Sequence, residues 1–179
     1  MSYRNGTYIA FHAGGTRDPT ASDIRYYRVL KAWHENAAID FRFVNSHEKA
    51  GAVRDSSHRT TLARSLRARL GASKNLVLII GPTTWQDTDW VPYEITYAID
   101  TCGLPIIAAY TSYESIFAPA KLAQFWPPAL ATRIINGAAR VVHIPFKRKL
   151  LNDAIRRFSL ASQPPDGLSY YTPNGLARL

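Results

Sequence analysis

Asn75-Leu76-Val77-Leu78-Ile79-Ile80 is an almost unbroken apolar run that stops at Gly81-Pro82. A strand wetted on one side alternates apolar and polar residues. A run without polar partners fits a strand covered on both faces, as in a parallel sheet. Such a sheet needs helices between its strands, and the flanking sequence supplies them. Before the run, Leu62, Leu66 and Leu70 stand at i, i+4 and i+8 of a helix with Gly71 near its end and arginines on its other face. After it, Val91, Ile95, Ala98 and Ile99 share one face of a third helix from Trp90 to Cys102, which Gly103 terminates.

The same alternation extends to both ends. Thr7 to Ala13 is β-rich, ends in Gly14-Gly15 and reads as strand one. Ser22 or Asp23 can N-cap a helix reaching about Asn36, with Tyr26, Val29, Leu30 and Trp33 on its apolar face. Ile39 to Asn45 alternates and reads as strand two; Asn45 to Ser57 is polar, aperiodic and of functional loop length. Pro105 to Tyr110 is strand four, Thr111 to Pro128 is irregular, and Arg140 to Ile144 is strand five. Phe146 to Phe158 is a basic helix burying Leu150, Leu151, Ala154 and Phe158; the tail from Gln163 reads as a loose extension. The expected fold is α/β: a flavodoxin-like five-stranded parallel sheet of order 2-1-3-4-5, helices on both faces, right-handed crossovers. Residues 1–160 form that domain and 161–179 a C-terminal extension.

Several classes are disfavoured. The longest strongly apolar run falls far short of the roughly 20 residues of a membrane helix, and the first residues lack the apolar stretch of a signal peptide. The one cysteine, Cys102, excludes an internal disulfide and a multi-cysteine zinc site. A cytoplasmic protein of bacterial type is the expectation. The net charge of +9, from 22 Lys+Arg against 13 Asp+Glu, points to an anionic ligand or partner. It gathers at Arg54, Arg59, Arg64, Arg67 and Arg69, and at Lys147, Arg148, Lys149, Arg156 and Arg157. Solvated helix faces account for most of these. No nucleic-acid motif accompanies the charge, so nucleic acid is the weakest partner class.

In an open parallel sheet the ligand crevice lies beyond the carboxyl ends of the strands, at the switch point between strands one and three. That nominates Phe11, His12, Ala13 and Gly14 after strand one, and Gly81 to Trp85, including Thr83 and Thr84, after strand three. Asn45, Ser46 and His47 can fold over the same edge. Backbone amides, hydroxyls, imidazoles and a flat ring suit a nucleotide. Gly14-Gly15 lacks the spacing of a Walker or GxGxxG loop, neither His-Glu pair has the second histidine of a zinc protease, and no GxSxG elbow is present. Strand one ends without the carboxylates of an aspartate phospho-acceptor. Glu94 follows Trp90 by four residues, so both share a face near the helix start and Glu94 can point at the crevice. From position alone it is either a catalytic carboxylate or an acid favoured by the helix dipole.

These residues, in this order, resemble the TIR-like ThsB family of Thoeris antiphage defence. The segments are Tyr8-Ile9-Ala10-Phe11-His12, Tyr27 to Trp33, Phe41-Arg42-Phe43, Thr61 to Leu70, Asn75 to Gly81, and Trp85 through Trp90-Val91-Pro92-Tyr93-Glu94-Ile95 to Ile99. The resemblance spans roughly residues 7 to 110. It implies the TIR fold and NAD as substrate, with no bound cofactor or metal. It implies that nicotinamide is cleaved off and the ADP-ribose part cyclised into an isomer of cyclic ADP-ribose. That diffusible signal would activate a separate effector protein after a phage-derived trigger. It makes Glu94 the catalytic residue. Phe11 or Trp85 then stacks on a ring, backbone at Ala13 to Gly15 with arginines holds the pyrophosphate, and His12 either meets a ribose hydroxyl or phosphate or is an inert loop histidine. Asn45, His47, Thr83 and Trp90 complete the substrate-binding set. Arg54-Asp55 is not followed by the Pro-Gly of animal and plant TIR loops, which argues against scaffold-type assembly, although a homo-oligomer is compatible. Residues 111–179 fall outside the resemblance and are available for sensing the trigger. A resting enzyme that drained NAD would harm its host, so low basal turnover is expected. The competing class is a non-catalytic TIR-like module that binds a nucleotide or a protein.

Overall fold

The computed structural model describes residues 4–14, 22–45 and 59–176. Its centre is a six-stranded sheet in the order β2-β1-β3-β4-β5-β6. The strands are β1 (Gly6–Ala10), β2 (Val44–Asn45), β3 (Ser73–Ile80), β4 (Ile106–Tyr110), β5 (Val141–Pro145) and β6 (Ser169–Tyr170). All five pairings are parallel. Helices α1 (Ile24–Glu35), α2 (Arg59–Gly71), α3 (Trp90–Thr96), α4 (Pro128–Ile135), α5 (Arg148–Arg157) and α6 (Pro173–Leu176) complete the chain. The expected α/β parallel sheet and the order of its first five strands hold. No helix among the described residues is long and apolar enough to cross a membrane.

The apolar run of β3 explains the layering. Leu76, Leu78 and Ile80 pack on one face with Tyr8, Ala10, Ile106 and Ala108, against Leu70 of α2 and Val91 and Ile95 of α3. Val77 and Ile79 pack on the other face with Ile9, Ile107 and Val142, against Leu30 of α1 and Leu151 and Ala154 of α5. Residues 76–80 are at most 2% exposed, so every position of the run is apolar because both faces are dry.

Four local expectations are revised. Strand one, read as Thr7–Ala13, pairs only over Gly6–Ala10, and residues 11–13 leave the ladder. Strand two shrinks from Ile39–Asn45 to Val44–Asn45. The guanidinium of Arg42 donates to the carbonyls of Ile39 at 2.9 Å and Phe41 at 2.7 Å, and the Phe41 amide turns back to Ile39, so local bonds replace a ladder. The alternation instead recorded Phe41 and Phe43 burying their rings, one against the other, with Trp33 edge-on to Phe41. The third helix is α-helical only to Thr96 and continues as a π turn over Tyr97–Thr101. There the Cys102 amide reaches the Tyr97 carbonyl at 3.1 Å, and Gly103 closes the turn at φ +66°. Within the stretch read as irregular, a 3-10 turn spans Pro119–Phe125; α4 then begins at Pro128, because proline suits the first helical position.

The tail is not loose. β6 pairs with β5, and the Val141 amide donates to the Asp166 carbonyl at 2.9 Å. A buried polar chain fastens it. Trp126 Nε1 donates to the Tyr110 hydroxyl at 2.7 Å, which lies 2.8 Å from His143 Nδ1, and His143 Nε2 lies 2.9 Å from the Gly167 carbonyl. A carbonyl only accepts, so His143 carries its proton on Nε2 and accepts from Tyr110 on Nδ1. Burial holds this imidazole neutral, its pKa lowered from 6.5 to about 4. The unfolded chain therefore binds the extra proton first as pH falls. The stability this group supports is full above about pH 6.5 and is lost as pH drops through about 4. The wild-type urea midpoint should fall between those pH values, and the fall should be shallower in His143→Gln. Equal slopes in the two proteins would contradict the assignment.

Candidate active site

β1 and β3 run parallel and adjacent, so the loops that follow them meet at one edge of the sheet. Asp23, just before α1, ties these loops together. Its amide donates to the His12 carbonyl at 3.1 Å, and its carboxylate accepts from the Thr84 hydroxyl at 2.8 Å. The Gly81 amide donates to the same hydroxyl oxygen at 2.7 Å. A Cβ at position 81 would sit 2.2 Å from Asp23 Oδ1, so a larger residue there has to displace the Asp23 carboxylate from its bond to Thr84. Asp23 is thus a strut between two loops rather than a helix cap; its side chain makes no cap bond to α1.

Glu94 sits one turn into α3, on the same face as Trp90. Together with Ile9, Phe11 and Ala13 from β1 and its loop, and Leu62 and Leu66 from α2, they line a pocket of about 230 Å³. That lies below the roughly 300–1,000 Å³ of whole-ligand sites, so the pocket fits one part of a larger ligand. Among the described residues its walls are apolar and aromatic apart from the Glu94 carboxyl. Glu94 is 8% exposed, and the Tyr8 hydroxyl donates to its Oε1 at 2.5 Å. Burial pushes the Glu94 pKa up from 4.5 to about 8. The Tyr8 hydrogen bond opposes that rise, the Asp87 charge adds to it, and the Arg69 charge opposes it. Tyr8 itself is held well above the ordinary phenol range, first by burial and then by Glu94, so it donates at any ordinary pH.

The rim is charged and aromatic. His12 Nδ1 lies 3.1 Å from Asp87 Oδ2. The Arg59 guanidinium stands 4.8 Å from the Trp90 ring centroid and pairs with Asp89. Arg67 Nε donates to the Tyr93 hydroxyl at 2.6 Å.

Of the residues nominated from sequence, Phe11, Ala13, Trp90 and Glu94 share this pocket. Phe11 does so while stacked on Tyr27, ring centroids 5.2 Å apart. Gly14 turns the adjoining loop at φ +64°. His12 stands at the rim. Thr83 and Trp85 lie on the loop after β3 but outside the pocket lining; Trp85 is 45% exposed and donates to the Pro82 carbonyl at 3.0 Å. Asn45 ends β2, in register with Thr7 of β1. Ser46, His47 and Arg54-Asp55 lie outside the described residues. Sequence reasoning missed Tyr8 and Asp87, and it read Leu62 and Leu66 only as a helix core face. A tyrosine inside an apolar strand is a signal for Tyr8, since a buried phenol needs a hydrogen-bond partner.

The raised Glu94 pKa has a signed consequence for stability. Below about pH 4.5 both folded and unfolded chains hold the proton; between about 4.5 and 8 only the folded chain does, so stability falls as pH rises through that window. Glu94→Gln removes this slope. The variant should gain stability over wild type by roughly 1–4 kcal/mol at pH 8.5 and little at pH 4.5, read from thermal or urea unfolding. A gain independent of pH would refute the buried, proton-holding carboxyl.

The family model described as "Thoeris protein ThsB, TIR-like domain" matches residues 8–115, more than half of the chain, including Tyr8, Phe11, His12, Asp87 and Glu94. A crystal structure of a conserved protein from Enterococcus faecalis V583 is similar with a TM-score of 0.50 and 21% identity, over 86% of this chain and 98% of that one. That likeness bears on the fold alone. The chain belongs to the TIR-like ThsB family of Thoeris proteins.

Proposed function

We propose that the chain is a Thoeris signalling enzyme that cleaves NAD at the nicotinamide–ribose bond and cyclises the remaining ADP-ribose. The observation that supports this reading best is Glu94, a single buried carboxyl held by Tyr8 in an apolar, aromatic-walled pocket beyond the β1 and β3 carboxyl ends. NAD presents a cationic pyridinium attached to a ribose. A carboxyl that is neutral in the free pocket ionises once that cation replaces water beside it. The resulting carboxylate faces the ribose as positive charge develops on its anomeric carbon, as in glycoside cleavage. The C–N electron pair leaves with nicotinamide, which departs neutral and needs no general acid. Apolar walls from Phe11, Leu62, Leu66 and Trp90 exclude water and favour an internal nucleophile over hydrolysis. In this reading NAD is substrate rather than cofactor, and the cyclic product acts on a separate effector protein in the cytoplasm. A phage-derived trigger raises a low resting turnover.

The test is mass spectrometry of small molecules from cells expressing wild type or Glu94→Gln, with and without phage infection. A species with the mass of cyclic ADP-ribose should appear in infected wild-type cells and fall about 10²-fold or more in Glu94→Gln. Absence of any NAD-derived product across several phages would favour a non-catalytic binding module.

A further inference from the structure

Two polar rungs cross the gap between the β1 strand-loop and the start of α3. The deep rung joins Tyr8 to Glu94 at 2.5 Å. The outer rung joins His12 to Asp87 at 3.1 Å. β1 ends at Ala10, and His12 lies two residues into the loop that follows it, so the outer rung leaves from the loop and the deep rung from the strand. Asp87 stands just ahead of α3, close enough for its charge to act on Glu94. Asp87 engages Nδ1 of the imidazole, and both side chains are largely covered, 18% and 11% exposed. Among the described residues Nε2 has no hydrogen-bond partner. The Asp23 amide pins the His12 backbone through its carbonyl, which fixes the ring at the rim. Asp23 also faces His12, close enough for the two charges to interact.

A carboxylate that orients one imidazole nitrogen and leaves the other open is the arrangement of a proton acceptor. Glu94 does not need that role if it stabilises the ribosyl cation. Resting on the NAD-cleaving reading above, we infer that His12 is the general base for the incoming nucleophile, with Asp87 as its positioning residue. The step balances. The C–N bond to nicotinamide breaks and its electron pair leaves with the ring. An O–H or N–H nucleophile forms the new bond to the anomeric carbon, and its proton passes to His12 Nε2 and then to solvent.

A pyridine nucleophile separates the two rungs, because its ring nitrogen carries no proton and needs no base. Dialysed lysates of infected cells expressing the full chain are given NAD and 3-acetylpyridine. Cyclic ADP-ribose isomers, free ADP-ribose and the acetylpyridine analogue of NAD are then measured, against lysate lacking the chain. Wild type should form all the products it is competent to form, including the exchanged dinucleotide. His12→Asn should lose cyclic and hydrolysed products by about 10²-fold or more while base exchange stays within about threefold of wild type. Asp87→Ala should show the same split with a smaller loss. Glu94→Gln should lose exchange and product together. Equal loss of exchange and product in His12→Asn, with its thermal unfolding unchanged, would overturn the assignment of a base. So would full retention of both. Absence of cleavage and exchange in wild type would instead overturn the NAD reading itself, and this inference with it.

Discussion

The hydrogen bond from Tyr8 to Glu94 is the interaction on which the site depends. It spans the gap between an inner strand and the helix that follows its neighbour, in surroundings that repel charge. An isolated buried carboxylate would shed its charge by taking up a proton, and Glu94 is poised to do so. Among the described residues Tyr8 supplies the hydrogen bond that keeps ionisation within reach, and its own burial keeps it protonated. The rest of the fold serves this arrangement. β3 holds β1 in register, α2 supplies the apolar wall of Leu62 and Leu66, and Asp23 locks the two loops through His12, Gly81 and Thr84.

Burying an acid beside a phenol destabilises the folded chain above mildly acidic pH, and sites under functional demand carry such a cost. His143 shows the opposite arrangement. It too is buried, but its partners on both nitrogens suit the neutral ring, and it fastens the tail without retaining charge. His143 is thus matched to its surroundings and Glu94 is mismatched. The mismatched one faces the pocket.

Much of the fold was legible in the sequence because it is written in two periods. The unbroken run at 76–80 demands cover on both faces, and the leucines at 62, 66 and 70 mark a helix that provides it. Less was legible where side chains, rather than periodicity, set the backbone. Arg42 takes carbonyls that a longer β2 would use, and the two-residue β6 is too short to carry a period. The tail is held against His143 of strand five by Asp166 and Gly167, neither of which reads as a strand signal. At the site, the spacing to Trp90 was enough to put Glu94 on the pocket side of its helix, while only the resemblance singled it out as catalytic. Tyr8 and Asp87 were not legible, because each acquires its meaning from a residue more than seventy positions away or on another loop. Thr83 and Trp85 were nominated for lying on the right loop, yet the pocket turns toward α2 and leaves them outside.

Function in the proposed reading rests on Glu94 being an acid that the substrate's own cation ionises. The direct measurement is a carbon-13 carboxyl titration of Glu94 in protein labelled at glutamate, free and saturated with a carbocyclic, non-cleavable NAD analogue. The Glu94 resonance is assigned by its loss in Glu94→Gln. A midpoint near 8 is expected in the free protein, with a clear fall when the pyridinium is bound. A free midpoint near the ordinary glutamate value, or a high midpoint that the saturating analogue leaves unmoved, would contradict it.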